Sequence, residues 1–437
     1  MKNGLRETLL LKAVLPLAEK AVGTCANKWY RRIGRMNSWT PEQITEWQNQ
    51  RLRQLVRHAY DHTIYYRRLF DESGLRPDDI QTVADLSELP VLTKETVNAH
   101  WNEFLPDNLE TIPHRLSKTG GTTGVPIRFL CDEDTWGYVT AAKIYAWRTT
   151  PYRYGDHFVA LGCASLLGKP SFVRRTYDWL RGEMALSSVM LNDSLCARYI
   201  QILRRRRVHY IYGYASAIYI LAKYLLDHPA PVRVKSVFTT AECLTDAYRM
   251  VIEQAFGCRV MDCYGARDAG MSAYEIRDGR YFVGYNAITE VVDGGSPVAG
   301  TAVVTNVLNY SFPLIRYQYG DEVEIGREPA VYNGQLIYRV LGRTSDVMWF
   351  ANGRALSASG LPTMLRECDI HAYEFRRVSD HEITLFLQPV AGKYDAAQEK
   401  HIRSTIQRYI GEDTILNIEH VQSFAPAPNG KRRYFFI

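Results

Sequence analysis

Ten residues, Ser117-Lys118-Thr119-Gly120-Gly121-Thr122-Thr123-Gly124-Val125-Pro126, carry the densest set of groups in the chain that could hold an anion. Glycine at 120, 121 and 124 lets a loop take positive φ and turn its amides toward a ligand. Hydroxyls at Ser117, Thr119, Thr122 and Thr123 add further donors. Such a loop suits phosphate. Its spacing is not the G-x-x-x-x-G-K-[ST] of a nucleoside triphosphatase, so that mechanism is excluded. Taken alone, the loop reads equally well as a Gly/Thr-rich surface turn.

Three further stretches decide between the two readings: Tyr264-Gly265-Ala266-Arg267-Asp268, then Pro313-Leu314-Ile315-Arg316-Tyr317-Gln318-Tyr319-Gly320-Asp321, then Gly342-Arg343-Thr344-Ser345-Asp346. With the loop, and in this order, they resemble the adenylate-forming superfamily. Within it the chain is most similar to the phenylacetate-CoA ligase and capsule-biosynthesis (CapK-like) branch, from about residue 45 to the last few residues. Four ordered motifs are more specific than any one of them.

The resemblance implies a division of labour. Joining a carboxylate to the α-phosphate of ATP brings together two anions that repel until their charge is neutralised. Thr119, Thr122 and Thr123, with the amides of Gly120, Gly121 and Gly124, would hold the β- and γ-phosphates. Tyr264 and Gly265 would face adenine, with Ala241 and Glu242 lining the base pocket. Asp321 would hold the ribose hydroxyls, and Arg343 would add a contact to ribose or phosphate. Asp268 stands where the family usually has a Mg²⁺-binding glutamate, one methylene longer. Arg267 would meet a phosphate or the substrate carboxylate, or pair with Asp268 itself. Lys431, in Gly430-Lys431-Arg432-Arg433, would bridge carboxylate and α-phosphate, with Thr122 and Arg267 beside it as the remaining catalytic contacts; a solvated basic tail is the competing reading. Asp346 would be a hinge. Tyr212, Gly213 and Tyr214 could wall an acyl pocket or merely pack. Compared with the usual family loop, Gly120 replaces a hydroxyl residue and Val125 a common lysine.

The elements that must position these groups are legible in part. Thr40-Pro41-Glu42-Gln43 is a capping box, and apolar residues at 44, 47, 52, 55, 56 and 59 follow at helical spacing. Phe158–Gly162, Val208–Tyr212, Ser236–Thr240 and Arg259–Cys263 read as strands, with helical patterns at 215–226 and 245–256, the second stopped by Gly257. Such alternation predicts an α/β fold with right-handed crossovers and a parallel or mixed sheet, which collects ligands at the carboxyl ends of its strands. Short strands around 383–387 and 415–418 with a helix from 395 to 409 predict a compact α+β lid. The expected domains are therefore 1–345, holding a helical region 1–110, the phosphate loop 117–126 and an α/β core 127–345, followed by the small domain 346–437.

Composition narrows the class. A chain of 437 residues exceeds one ordinary core, and 46% hydrophobic with 23% charged residues is globular rather than disordered. The net charge of +6 suits ATP or an acidic substrate and is too small and scattered for nucleic acid. Arg204–Arg207 ends a helical pattern and reads as a helix C-terminal cluster. Eight dispersed cysteines without a C-x-x-C pair predict reduced thiols in a cytoplasmic enzyme, and Tyr274–Phe282 lacks the Cys and His that hold zinc in several relatives. The apolar stretch Leu9–Ala18 is too short to span a bilayer and is expected to dock on the body of the protein, with at most peripheral membrane contact.

The expected function is therefore ATP- and Mg²⁺-dependent activation of a small carboxylic acid to an acyl-AMP, with transfer to a thiol, most simply CoA. Capsular or exopolysaccharide assembly is the implied setting, with that machinery or a second copy of the chain as candidate partners. The rival is a catalytically weak or inactive nucleotide-binding subunit of a polysaccharide assembly complex. Direct glycosyl transfer lacks an Asp-x-Asp at a strand end.

Overall fold

The computed structural model describes residues 7–8, 10–118, 127–162, 171–188, 191–242, 244, 246–277, 279–292, 298–326, 334–342, 347–350, 355–357, 364–365, 368–424 and 435–436. Its strands are β1 His114–Lys118, β2 Arg128–Asp132, β3 Phe158–Gly162, β4 Glu183–Ser187, β5 Tyr210–Tyr214, β6 Ser236–Thr240, β7 Val260–Ala266, β8 Met271–Arg277, β9 Arg280–Val283 and β10 Ala287–Val292. They continue with β11 Ala299–Asn306, β12 Tyr317–Gly326, β13 Leu336–Gly342, β14 Val347–Trp349, β15 Ala355–Ser357, β16 Ile370–Ser379, β17 Glu382–Pro389, β18 Ile415–His420 and β19 Phe435–Phe436. Helices cover the sheets, so the α/β class holds. Two compact units divide the chain: Met1–Lys118, Ile127–Gly155 and Met261–Gly342 in the first, Asp156–Val260 and Arg343–Ile437 in the second. Among the described residues no helix is long and apolar enough to cross a membrane.

In the first unit the capping box forms as the sequence predicts. Gln43 N donates to Thr40 Oγ1, Thr40 N donates to Gln43 Oε1, and the helix runs Pro41–His62 with Ile44, Trp47, Leu52, Leu55, Val56 and Ala59 buried. The N-terminal segment docks here too: Leu15 is buried, and the Glu19 carboxylate accepts from Asn27 N at 3.0 Å. The helix Ile64–Ser73 then buries Tyr66, whose hydroxyl donates to Pro313 O at 3.2 Å and accepts from Ile315 N at 2.9 Å. One side chain thus pins the approach to β12. Leu92 secures the next residues, its N donating to Arg316 O and its carbonyl accepting from Gln318 N. Tyr66→Phe leaves a buried carbonyl and amide without their partner, so we expect a loss of about 2–3 kcal/mol of unfolding free energy, read from urea titration.

The sheet of this unit runs β10-β11-β12-β13-β9-β8-β7, and every neighbouring pair is antiparallel. A separate hairpin pairs β1 with β2, Lys118 opposite Arg128. Asp132 ends this hairpin buried, accepting from Tyr310 N at 2.7 Å and Ser311 N at 2.8 Å. Asn309 returns two bonds to β2, accepting from Asp132 N and donating to Leu130 O. Those bonds tie the hairpin to the segment that leads into β12.

The second unit shows the expected alternation. Its four strands lie in the order β6-β5-β3-β4, all parallel, with helices Asp193–Arg205, Ala215–Asp227 and Asp246–Phe256 between them in sequence. Val159, Leu161, Ile211, Ile218, Leu221, Val237 and Ile252 form the core. One strand starts two residues later than its apolar run, at Tyr210 instead of Val208. Arg207 takes φ 48° and Val208 N closes back on Leu203 O, so both belong to the helix terminus. The shift places Tyr212, Gly213 and Tyr214 in the strand itself. A Cβ on Gly213 would stand 2.2 Å from Leu161 O, so only glycine fits that crossing. The carboxyl-terminal sheet β18-β17-β16-β19 is mixed and packs the helix Ala396–Ile410 over Phe375, Ile383, Leu385 and Leu387.

Candidate functional site

In the first unit the candidate residues gather on β12. Along that strand buried and half-buried residues alternate, so Tyr317, Tyr319 and Asp321 share the buried face. Arg316 turns the chain into the strand with φ 53°, a conformation costly for a side chain with a Cβ. Its surroundings hold it there. Arg316 N donates to Thr305 Oγ1 at 2.9 Å, and the guanidinium binds the Leu89 carbonyl and Glu290 Oε1, the latter at 3.2 Å. Burial pushes the Glu290 carboxyl up, and the Arg316 charge opposes that shift.

β7 supplies the facing groups. The Tyr264 hydroxyl lies 2.8 Å from Asp321 Oδ2 and 3.1 Å from the Tyr319 hydroxyl. Burial raises the Tyr264 phenol well above its ordinary range, and the neighbouring Tyr319 and Asp321 reinforce the shift. It therefore stays protonated as the donor to Asp321, which is 2% exposed. Three strands separate β7 from β12 in the sheet order, so the sheet must curl for these side chains to meet.

After β7 a turn presents Arg267 and Asp268, closed by Gly270 N donating to Arg267 O at 3.2 Å. Gly270 has φ 58°, and a Cβ there would stand 2.2 Å from Asn306 Nδ2. The turn thus requires glycine. Asp268 is buried with Oδ2 accepting from the Tyr317 hydroxyl at 2.7 Å. Arg267 is exposed and lies 5.8 Å over the Trp136 ring, which Arg115 of β1 also covers, at 5.4 Å. Arg267 therefore sits beside the β1–β2 hairpin. For a magnesium ion this turn offers the Asp268 carboxylate, and among the described residues no group of three His, Cys, Asp or Glu side chains gathers. That fits Mg²⁺, which keeps water ligands and takes the rest of its oxygens from phosphates.

In the second unit Ala241 is exposed with φ 66°. The next residue, Glu242, is buried and its Oε2 accepts from Ser216 N at 2.7 Å. Ser216 stands in the first turn of the helix that follows Tyr214, so the carboxylate satisfies an amide of the helix start. Tyr212 and Tyr214 are half-buried in β5. His209 is half-buried beside that strand with Nδ1 2.7 Å from Arg233 O. Thr119, Gly120, Gly121, Thr122, Thr123 and Gly124, with Arg343, Asp346 and Lys431, lie outside the described residues. Sequence reasoning passed over Tyr317, Tyr319 and Arg316. The alternation Tyr317-x-Tyr319-x-Asp321 was the available signal, because period two puts all three on one face of a strand.

The chain is 24% identical over 423 residues to Protein CapK of Staphylococcus aureus, covering 93% of this chain and 91% of that protein. It is 24% identical over 423 residues to the phenylacetate-coenzyme A ligase of Pseudomonas putida, covering 88% and 92% respectively. With the corresponding ligase of Escherichia coli strain K12 it shares 26% over 338 residues, covering 70% and 72%. This chain is similar in sequence to CapK and to the phenylacetate-CoA ligases. Its fold is similar to that of 2-hydroxyisobutyryl-CoA ligase in complex with 2-HIB-AMP and CoA, which superposes with TM-score 0.58 at 19% identity, covering 92% of this chain and 93% of that one. The same ligase in the postadenylation state gives 0.57. No protein-family model matches the chain.

Proposed function

We propose that this protein is an ATP-dependent acid–thiol ligase that converts a small carboxylic acid to its acyl-AMP and passes the acyl group to a thiol, CoA being the simplest acceptor. The observation that carries this reading is the 2.8 Å contact between Tyr264 and Asp321, because it joins two motifs 57 residues apart in the chain. A shared adenosine is the common purpose of those motifs. Asp321 would take the ribose hydroxyls and Tyr264 would pack on adenine, while the loop Thr119–Gly124 and Arg267 would hold phosphate. Asp268 would hold Mg²⁺, which when bound neutralises phosphate charge. Ala241 and Glu242 would serve the base, Tyr212, Gly213 and Tyr214 the acyl group, and Arg343 the ribose. Residues 346–437 would act as a lid turning about Asp346 and delivering Lys431 for adenylation alone. A setting in capsular or exopolysaccharide assembly belongs to the same reading.

A nucleotide-binding subunit without turnover is the second reading, favoured by the short carboxylate of Asp268 with one oxygen already held by Tyr317. One experiment separates them. Incubation with ATP, Mg²⁺ and a panel of carboxylic acids, read by mass spectrometry for adenylated acids, is expected to yield one acyl-AMP and pyrophosphate exchange that depends on that acid. ATP binding without any adenylate, unrepaired by Asp268→Glu, would overturn the ligase reading.

A further inference from the structure

The second unit carries an unassigned surface at the edge of its parallel sheet opposite the strand ends that suit ligands. The pairing register sets Glu183, Phe158, Tyr210 and Ser236, the first residues of β4, β3, β5 and β6, side by side. At about 4.8 Å per strand they span about 14 Å. What immediately precedes each strand therefore lines one rim. Before β5 come Arg204–Arg207, all exposed at the C-terminus of the helix Asp193–Arg205. Before β6 come Arg233 and Lys235, both exposed and tied to that cluster by Lys235 N donating to His209 O at 2.7 Å. Beyond β6 stands exposed Arg259, whose carbonyl accepts from Val237 N. Opposing charge is sparse. Glu183 lies 3.7 Å from Arg181, Asp156 precedes β3, and at the far end Glu253, 3.9 Å from Arg249, accepts from Val260 N next to Arg259, so three carboxylates face the seven cations. Seven exposed cations thus gather on one rim of a chain whose whole net charge is +6.

An apolar element flanks the same rim. The helix Phe172–Leu180 packs on the edge strand β4 and buries Tyr177, and Gly182 just beyond it accepts from Phe158 N at 2.9 Å. Positions i, i+3 and i+7 share a helix face. Phe172, Arg175 and Trp179 occupy such positions, with Phe172 81% and Trp179 69% exposed. Trp179, at the C-terminal end, stands next to the basic rim. Cations alone would suit any polyanion. Two solvent-exposed aromatic rings with an arginine between them instead suit a headgroup layer, where rings enter the interface and guanidinium groups meet lipid phosphates.

We propose that this rim and the outer face of the helix Phe172–Leu180 form the surface by which the protein lies on an anionic lipid bilayer. The test uses full-length protein sedimented with vesicles of phosphatidylcholine alone or of a mixture rich in phosphatidylglycerol. At about 0.1 M salt the wild type pellets with the anionic vesicles and not the neutral ones, and it is released at about 1 M, where the Debye length falls to about 3 Å. Replacing Arg204, Arg205 and Arg206 together by glutamine weakens partitioning roughly a hundredfold. Trp179→Ser weakens it about tenfold and leaves the salt dependence in place. All four side chains are exposed or helix-terminal, so both variants keep the wild-type melting temperature. Wild-type protein that stays in the supernatant, or variants that pellet like it, would overturn the assignment. So would a Trp179→Ser variant unaffected on vesicles together with retention on polyuridylate stronger than on lipid, which would make the rim a nucleic-acid surface.

Discussion

Asp321→Ala is expected to lower acid-dependent exchange of pyrophosphate into ATP by about a hundredfold to ten-thousandfold. A hydrogen bond to a charged group is worth about 1.5–3 kcal/mol, and ribose offers two hydroxyls to one carboxylate. Two such bonds make about 3–6 kcal/mol, or two to four powers of ten. The same substitution has a structural cost, since the Tyr264 hydroxyl loses its acceptor at 2.8 Å in a buried setting, so about 1–3 kcal/mol of stability goes with it. Tyr264→Phe separates the two effects. It removes that hydrogen bond and keeps the carboxylate, so exchange should fall no more than about tenfold while stability falls by a similar amount. Because the Tyr264 phenol is raised well above its usual range, the contact persists through neutral and mildly alkaline pH. The exchange profile should therefore carry no arm from this residue. Unchanged exchange in Asp321→Ala with normal ATP affinity would remove Asp321 from the nucleotide site.

How much of this was legible in the sequence depends on whether the deciding interaction is local. The capping box at Thr40 and the strands Phe158–Gly162 and Ser236–Thr240 are specified by neighbours within a few residues, and they stand where the sequence puts them. Tyr210 differs because Arg207 in a left-handed conformation extends the helix terminus, and arginine gives no such signal as glycine would. β8, β9 and β10 escaped notice for another reason. Met271–Arg277 packs most of both its faces, so it has no polar and apolar alternation to read. The site divides likewise. Tyr264 and Asp321 were picked out by the residues flanking each, but their hydrogen bond depends on the curl of a seven-strand sheet. Nothing in either motif encodes that contact. Glu242 shows the converse: its place beside β6 was readable, whereas its bond to Ser216 N required the start of another helix to be in view.

Lys431→Ala should have a large effect on the proposed first step and almost none on the second. Adenylation forces a carboxylate against an α-phosphate, and two unit charges about 4 Å apart interact by about 4 kcal/mol at the effective dielectric near a protein surface. A cation placed between them reverses that repulsion, so removing it should slow acyl-AMP formation about a thousandfold or more. Transfer to a thiol needs no such bridge, because the phosphate is then the leaving group. Supplied with synthetic acyl-AMP, the Lys431→Ala protein should form thioester within about tenfold of wild type. Lys431→Arg should recover part of the loss, since charge is kept but a planar fork replaces a compact ammonium. Arg432 and Arg433 provide the decisive control. If the tail acts only as a diffuse positive surface, alanine at any of the three positions should slow adenylation to the same small extent. If one ammonium enters the reacting centre, only position 431 should separate the two half-reactions.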